Sequence, residues 1–569
     1  SRCAQIHCRT NRLVVGGWWL VVGGWLLAVA ETLPPTADLP IDCLLPTAYC
    51  LLLMEAIVRT TFAIVLAGAF AIASASSARA ATCEELLRLT LPDTKITAAE
   101  TIAAGQFTPP GNPPPAAAAR AYAALPSFCR IAASLTPSPD SDIKVEVWLP
   151  ASGWNERLQA VGNGGWAGTI PYPSMAAALA AGYATVGTDT GHAGNSADFA
   201  AGHAEKLIDF AYRAIHEMTA AAKAVVPAFY GSAPRYSYFN GCSQGGRQGI
   251  TAAQRYPQDF DGIVAGASAW NSMRMHAARF AVNQVMNRAP GSAIPASKYP
   301  MIHEAVLQAC DGLDGVKDSV IENPTKCTFD PQVLACKDGD SPSCLTAPQI
   351  QSAKAMLSPV RHPSTGAVLF EGQLWPGAEV EWDTIGGPEP LNNAVTALKN
   401  VAFDRSWNPA RFNVATDMET AIRADNGLLA SDDANLKPFF DRGGKLLMWH
   451  GWPDPQVTPQ NSTTYFRNVL TTVGSQADAS IALFMMPGVY HCQGGPGPDR
   501  FDRMAAIEQW VEQGRKPTRL VASRIRDGKV DRTRPLCPFG EVARWNGTGS
   551  TDDEANFSCV PEEVITTTR

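Results

Sequence analysis

The chain has 569 residues, enough for a large core, and its net charge of −7 comes without the basic stripe that nucleic-acid binding needs. Charged residues make up only 17% while Gly (47) and Pro (43) are plentiful, which argues against a coiled coil or a disordered chain and suits a loop-rich globular protein.

Residues 13–30 are apolar throughout, with two near-copies of Val-Val-Gly-Gly-Trp, and are long enough for a membrane span. Farther on, Met54 opens a short basic region, residues 62–73 form an apolar run, and Ala78-Arg79-Ala80 is a small-x-small cleavage pattern. Residues 54–80 therefore read as a secretory signal peptide, with the mature chain starting near Ala81. Residues 1–53 are expected to be a non-native upstream extension, and the alternative is an N-terminal membrane anchor. After Ala80 come ten cysteines: Cys83, Cys129, Cys242, Cys310, Cys327, Cys336, Cys344, Cys492, Cys537 and Cys559. An even number in an exported chain predicts five disulfides, whose pairing the sequence leaves open. The protein is accordingly expected to be secreted or periplasmic, without stable membrane association.

Residues 143–149 alternate apolar and polar with period two and predict a half-buried strand. A second strand over 157–161 runs into Gly162-Asn-Gly-Gly-Trp-Ala-Gly168, and a buried strand over 183–187 leads to Asp189. Residues 210–229 carry apolar side chains at helical spacing. A strand over 236–240 is followed by a Gly-rich turn and a helix over 247–256, and a strand over 263–266 closes the series. Strands alternating with helices predict an α/β fold, a mostly parallel sheet covered on both faces. From 270 to 442 the rhythm is lost. That stretch holds four cysteines, an Asp-rich loop and scattered Trp375, Trp382 and Trp407, and reads as an inserted lid. Strands return at 445–450 and 481–486, leading to Asp454 and His491. The core is thus expected in two parts, 81–269 and 443–569.

Gly241-Cys-Ser243-Gln-Gly245 matches Gly-x-Ser-x-Gly. Alone the pattern is common in ordinary turns. Between a strand and an amphipathic helix it is the context of a nucleophile elbow, in which glycines permit the sharp turn that lifts the serine above the sheet. A serine hydroxyl needs a base, and that base needs an orienting carboxylate. Asp454 and His491 stand in the order and strand-end context this requires. Cys242 precedes Ser243 and Cys492 follows His491, so a disulfide between them would pin the nucleophile turn to the histidine loop. Of the other histidines, His450 is expected to line the substrate pocket and His192 to be structural. The oxyanion donors are expected to be the N–H groups of Gln244 and Gly165. Gly162-x-Gly-x-x-Ala167 also resembles a dinucleotide fingerprint, but Pro171 and Pro173 interrupt the helix that should follow it, and no organic cofactor is expected. Asp311-Gly-Leu-Asp314-Gly-Val-Lys-Asp318 is compatible with a hard cation such as Ca²⁺ or with a plain polar turn, and the residues leave both open.

The motifs Gly241-Cys-Ser-Gln-Gly-Gly246, Cys310-Asp-Gly-Leu-Asp-Gly-Val-Lys-Asp318, Val489-Tyr-His-Cys-Gln-Gly-Gly-Pro496 and Arg534-Pro-Leu-Cys-Pro538 resemble the tannase and feruloyl esterase family, which includes a mono(2-hydroxyethyl) terephthalate hydrolase. The likeness runs from Cys83 to Cys559. It implies an α/β-hydrolase core with a large inserted lid, a triad of Ser243, Asp454 and His491, and a triad-linking Cys242–Cys492 disulfide. It further implies the pairs Cys83–Cys129, Cys310–Cys327, Cys336–Cys344 and Cys537–Cys559. A structural Ca²⁺ in the lid would be held by Asp311, Asp314, Asp318 and the carbonyls of Val316 and Val320. The implied partner is a small aromatic ester of plant cell-wall or tannin type, bound in an aromatic pocket to which Trp166 contributes. Residues 391–402 offer no match to the carboxylate-binding lid arginine of the terephthalate enzyme, and Gln244 stands where that enzyme has glutamate. A feruloyl-type esterase acting through an acyl-enzyme is therefore expected first, a tannase second and a terephthalate monoester hydrolase third. A serine peptidase and a catalytically inactive binding protein are the alternatives from other classes.

Overall fold

The computed structural model describes residues 80–562 apart from Asn112 and Gln373, together with residues 13–15 and 18–20. Most of the expected N-terminal extension and nearly all of the signal peptide lie outside the described residues. The chain divides into two compact units, Ser1–Ala78 and Arg79–Arg569. In the first, Leu13–Val15 pairs antiparallel with Trp18–Leu20.

The second unit is built on a nine-stranded sheet. Its strands are β1 (Thr94–Ile102), β2 (Phe128–Leu135), β3 (Ile143–Pro150), β4 (Arg157–Val161), β5 (Ala184–Thr188), β6 (Tyr236–Cys242), β7 (Gly262–Gly266), β8 (Lys445–Gly451) and β9 (Ile481–Met486). Their spatial order is β9-β8-β7-β6-β4-β5-β3-β2-β1. The six strands from β9 to β5 run parallel, and β3, β2 and β1 continue the sheet antiparallel. The helices that frame the site are α1 (Tyr172–Ala180), α2 (Ala214–Tyr230), α3 (Gln244–Arg255), α4 (Ser272–Met286), α5 (Pro459–Val473) and α6 (Arg503–Gln513).

The continuous apolar runs of β8 and β9 follow from burial on both faces. Leu446, Met448, Ile481 and Leu483 enter one core, whereas Leu447, Trp449, Ala482 and Phe484 enter the other. The expected strands over 157–161 and 481–486 form with those bounds, and the others agree within a residue or two. Two strands of this sheet went unpredicted, as did the hairpins built from residues 520–561. In β1 the Thr-Lys-Ile-Thr-Ala-Ala-Glu-Thr-Ile segment shows no clean alternation: Ile96 is its one buried residue, and the pairing register shifts between Ile96 and Ala98. β2 begins at Phe128 beside Cys129, whose disulfide to Cys83 ties the sheet to the segment that precedes β1.

β7 and β8 are neighbours in the sheet, so residues 267–444 are inserted between two adjacent parallel strands. The insertion combines short helices with long irregular stretches, and its α4 packs back on the core. One apolar cluster joins Trp166 and Phe210 of the core to Phe280, Leu398 and Met418 of the insertion. Among the described residues no helix is long and apolar enough to cross a membrane.

Candidate active site

The elbow forms where β6 passes into α3. Ser243 sits at φ 63°, ψ −122°, a conformation costly for a residue with a side chain and held here by its surroundings. Its N–H donates to the Gly266 carbonyl at 2.9 Å. The flanking glycines are required by close approach. A Cβ on Gly241 would lie 2.6 Å from the backbone of Gly245, and one on Gly246 would lie 2.2 Å from the Gly266 oxygen.

His491 and Asp454 follow β9 and β8, whose ends lie on the same side of the parallel sheet as the elbow. His491 Nε2 is 2.8 Å from Ser243 Oγ, and His491 Nδ1 is 2.7 Å from Asp454 Oδ2. Asp454 is fully buried. The N–H groups of Gln456 and Val457 donate to its Oδ1 at 2.7 and 2.9 Å. Burial by itself would push this carboxyl up, but the charge of His491 and the hydrogen bonds from His450 and His491 prevail and hold it well below the usual carboxylate range. An ionised Asp454 only accepts, so Nδ1 of His491 carries the proton and Nε2 is left to take the one from Ser243. Cys242 and Cys492 are joined with their Cα atoms 6.1 Å apart. The other four implied disulfides form as well.

The Gly-rich loop after β4 abuts this elbow. A Cβ on Gly162 would lie 2.6 Å from Gly245 Cα. Two reciprocal bonds tie the loop to α3: Asn163 N–H donates to Gln248 Oε1 at 3.0 Å, and Gln248 Nε2 donates to Asn163 Oδ1 at 3.2 Å. Gly165 adopts φ 53° and faces Asn393 of the insertion, whose Nδ2 would be 3.5 Å from a Cβ placed there. Gln244 is the first residue of α3, where backbone N–H groups lack intrahelical partners.

His450 does not line a pocket, contrary to the sequence-based expectation. It is fully buried behind the triad, its Nε2 3.1 Å from Asp454 Oδ2 and its Nδ1 2.7 Å from Ser462 Oγ. A residue at the end of a central strand can face a packed helix as readily as a cleft, and periodicity does not distinguish the two. Trp166 is 3% exposed and stacks on Phe210 with ring centroids 4.5 Å apart. His192 is structural: its Nε2 is 2.9 Å from the Trp166 carbonyl, and its ring stacks on Phe199.

Two polar residues of α4 had no signal in the sequence. Arg279 and His276 are both buried, with one Arg279 Nη 3.4 Å from His276 Nδ1 and Arg279 Nε lacking a hydrogen-bond partner. Burial pushes the guanidinium down to about 10 while Asp454 pulls the other way. Burial and Arg279 together push His276 well below its usual value, so it is neutral.

In the Asp-rich loop, Asp314 Oδ1 accepts from Val316 N–H at 2.9 Å and Asp318 Oδ1 from Val320 N–H at 3.1 Å. Asp311 accepts from the Asp318 and Ser319 N–H groups. Asp318 also meets Arg534 and Arg532. Burial pushes Asp314 up to about 6, and the neighbouring Asp318 and Asp311 add to the rise. Among the described residues no three acidic, histidine or cysteine side chains are grouped so as to hold a metal ion.

The sheet order, the strained elbow and the inserted lid define an α/β-hydrolase. The family model for tannase and feruloyl esterase matches residues 129–560. An uncharacterised esterase of Xanthomonas campestris pv. campestris is 37% identical over 554 residues, covering 87% of this chain and 94% of that one. Feruloyl esterase C of Talaromyces stipitatus is 31% identical over 504 residues, covering 84% of this chain and 94% of its own. Among solved structures, feruloyl esterase B from Aspergillus oryzae superposes with a TM-score of 0.79 at 29% identity, covering 84% of this chain and 99% of that one. The chain belongs to the tannase and feruloyl esterase family and is a carboxylic ester hydrolase.

Proposed function

We propose that the protein is an exported esterase of aromatic acids, feruloyl esterase-like, working through an acyl-enzyme on Ser243. The observation that carries this reading is the alignment of Ser243, His491 and Asp454 at 2.8 and 2.7 Å on an elbow of this family. Ser243 Oγ attacks the ester carbonyl as His491 Nε2 takes its proton. Gln244 and Gly165 N–H groups receive the oxyanion. His491 then protonates the leaving alcohol, and water attacks the acyl-enzyme by the same route in reverse.

Several findings support the finer parts of this proposal. Five disulfides suit an oxidising compartment. Relatives named feruloyl esterase support a hydroxycinnamoyl group, and a galloyl ester is the second choice. The loop of Asp311, Asp314 and Asp318, with the Val316 and Val320 carbonyls, is proposed to hold a structural Ca²⁺. Its donors are all oxygen, as a hard cation prefers, and its carboxylates lie within electrostatic reach of one another. Binding requires Asp318 to turn from Arg534 toward the ion.

The test is hydrolysis of methyl ferulate, methyl gallate and the terephthalate monoester by the wild type and by Ser243→Ala. The expected result is cleavage of methyl ferulate first, by the wild type only. Undiminished turnover by pure Ser243→Ala would refute the nucleophile, and a wild type that cleaves only aliphatic esters would refute the aromatic acyl group.

A further inference from the structure

His450 has no part in the chemistry above, yet it meets the triad directly. His450, Asp454 and Ser462 are each 0% exposed. His450 Nε2 lies 3.1 Å from Asp454 Oδ2, the oxygen that His491 Nδ1 approaches at 2.7 Å, and 3.0 Å from the Val457 carbonyl. Both partners of Nε2 are acceptors, so Nε2 carries a proton. Nδ1 faces the Ser462 hydroxyl of α5 at 2.7 Å, which donates to it. A doubly protonated ring would place a buried cation beside the imidazolium that His491 becomes in the reaction, at a desolvation cost that the neutral Nε2–H tautomer avoids.

Asp454 thus receives four hydrogen bonds, from Gln456 and Val457 at Oδ1 and from His491 and His450 at Oδ2. A carboxylate has about four acceptor positions, so all are filled and the group cannot rotate away from His491 without breaking several bonds.

We propose that His450 is a positioning residue of the esterase: kept as its Nε2–H tautomer by Ser462, it locks Asp454 toward His491 and draws charge from the oxygen the two imidazoles share. The proposal rests on the triad reading. The titratable and charged groups around this pair are His491 on the β9 side and Arg279 from α4, while α5 presents the uncharged Ser462.

The experiment compares the full chain with His450→Leu, His450→Gln and Ser462→Ala. It records the pH profile of kcat/KM for 4-nitrophenyl acetate and of the rate at which a fluorophosphonate labels Ser243. His450→Leu is expected to lower kcat about ten- to a hundred-fold, the effect of one hydrogen bond to a charged group, with KM within about twofold. It should also move the acid limb to higher pH. Losing the Nε2–H leaves more negative charge on Asp454 Oδ2, which stabilises the His491 imidazolium. His450→Gln, whose amide nitrogen reaches the place of Nε2, should restore most of kcat and the original limb. Ser462→Ala should shift both readouts in the direction of the Leu variant.

An acid limb that stays or moves to lower pH in His450→Leu, with the Gln variant no better, overturns the proposal. So does a Ser462→Ala enzyme with wild-type kcat and profile, which keeps the test decisive if His450→Leu does not fold. A wild type that labels at Ser243 but cleaves no aromatic ester would sink the substrate assignment alone and leave this comparison intact.

Discussion

The Cys242–Cys492 disulfide joins the residue before Ser243 to the residue after His491, across 250 positions of sequence and with 6.1 Å between their Cα atoms. The bond therefore constrains the Ser243–His491 distance itself as well as the unfolded chain. Replacing both cysteines by alanine is expected to cost about 2–5 kcal/mol of stability and to lower kcat about a hundred-fold by loosening the nucleophile–base contact. Removing Cys336–Cys344, which spans 8 positions in the lid, should leave kcat nearly unchanged. Thermal melts and kcat of the two double variants decide the matter. Equal effects on kcat would show that the triad-linking bond has no special role.

Asp454 is fully buried and held ionised by its imidazole neighbours. Asp454→Asn keeps the shape but presents an amide to His491, which favours the wrong tautomer. Loss of kcat on the order of ten-thousand-fold is expected, with KM little changed. A loss below about tenfold, measured on a well-folded variant, would remove Asp454 from the mechanism.

If the Asp-rich loop holds Ca²⁺, chelation should lower the melting temperature, and added Ca²⁺ should restore it. Asp314→Asn should abolish that response while leaving the triad intact, because the loop lies outside the elbow. A melting temperature indifferent to chelator and to Ca²⁺ would leave the loop as a hydrogen-bonded turn.

Asp189 accepts from the N–H groups of Lys144 and Gly191, yet burial, the dominant influence, pushes its carboxyl up to about 6. A carboxyl raised in the folded state binds protons more tightly there than in the unfolded chain. Its contribution to stability is therefore full below about pH 4 and is lost as pH rises through about 6. Asp189→Asn, which keeps the acceptor, should gain stability relative to the wild type between pH 4 and 7, by up to about 3 kcal/mol. Unfolding midpoints in denaturant at the two pH values measure this, and a difference independent of pH would contradict it.

Much of the candidate site is legible in the sequence. The elbow could be read because its glycines are forced by backbone contacts within a few residues, as between Gly241 and Gly245. The sheet could be read from local apolar runs wherever strands are buried on both faces, and it was missed at β1, where one residue is buried and a register shift interrupts the alternation. His450 shows the limit: its strand was predicted, but whether its ring faced substrate or Asp454 depended on α5, which begins only at Pro459.

The class of fold, the Ser243 elbow and the order in which Asp454 and His491 follow it can be read from the chain alone, because each is encoded in a short segment with its own turn or strand signal. Which groups surround them is set by long-range packing: Ser462 behind His450, Gln248 against Asn163, and Arg279 and His276 brought in by the lid. Those contacts join segments from 3 to 85 positions apart and then set them against residues farther still, so they depend on how buried faces pack and on the burial that fixes each group's charge.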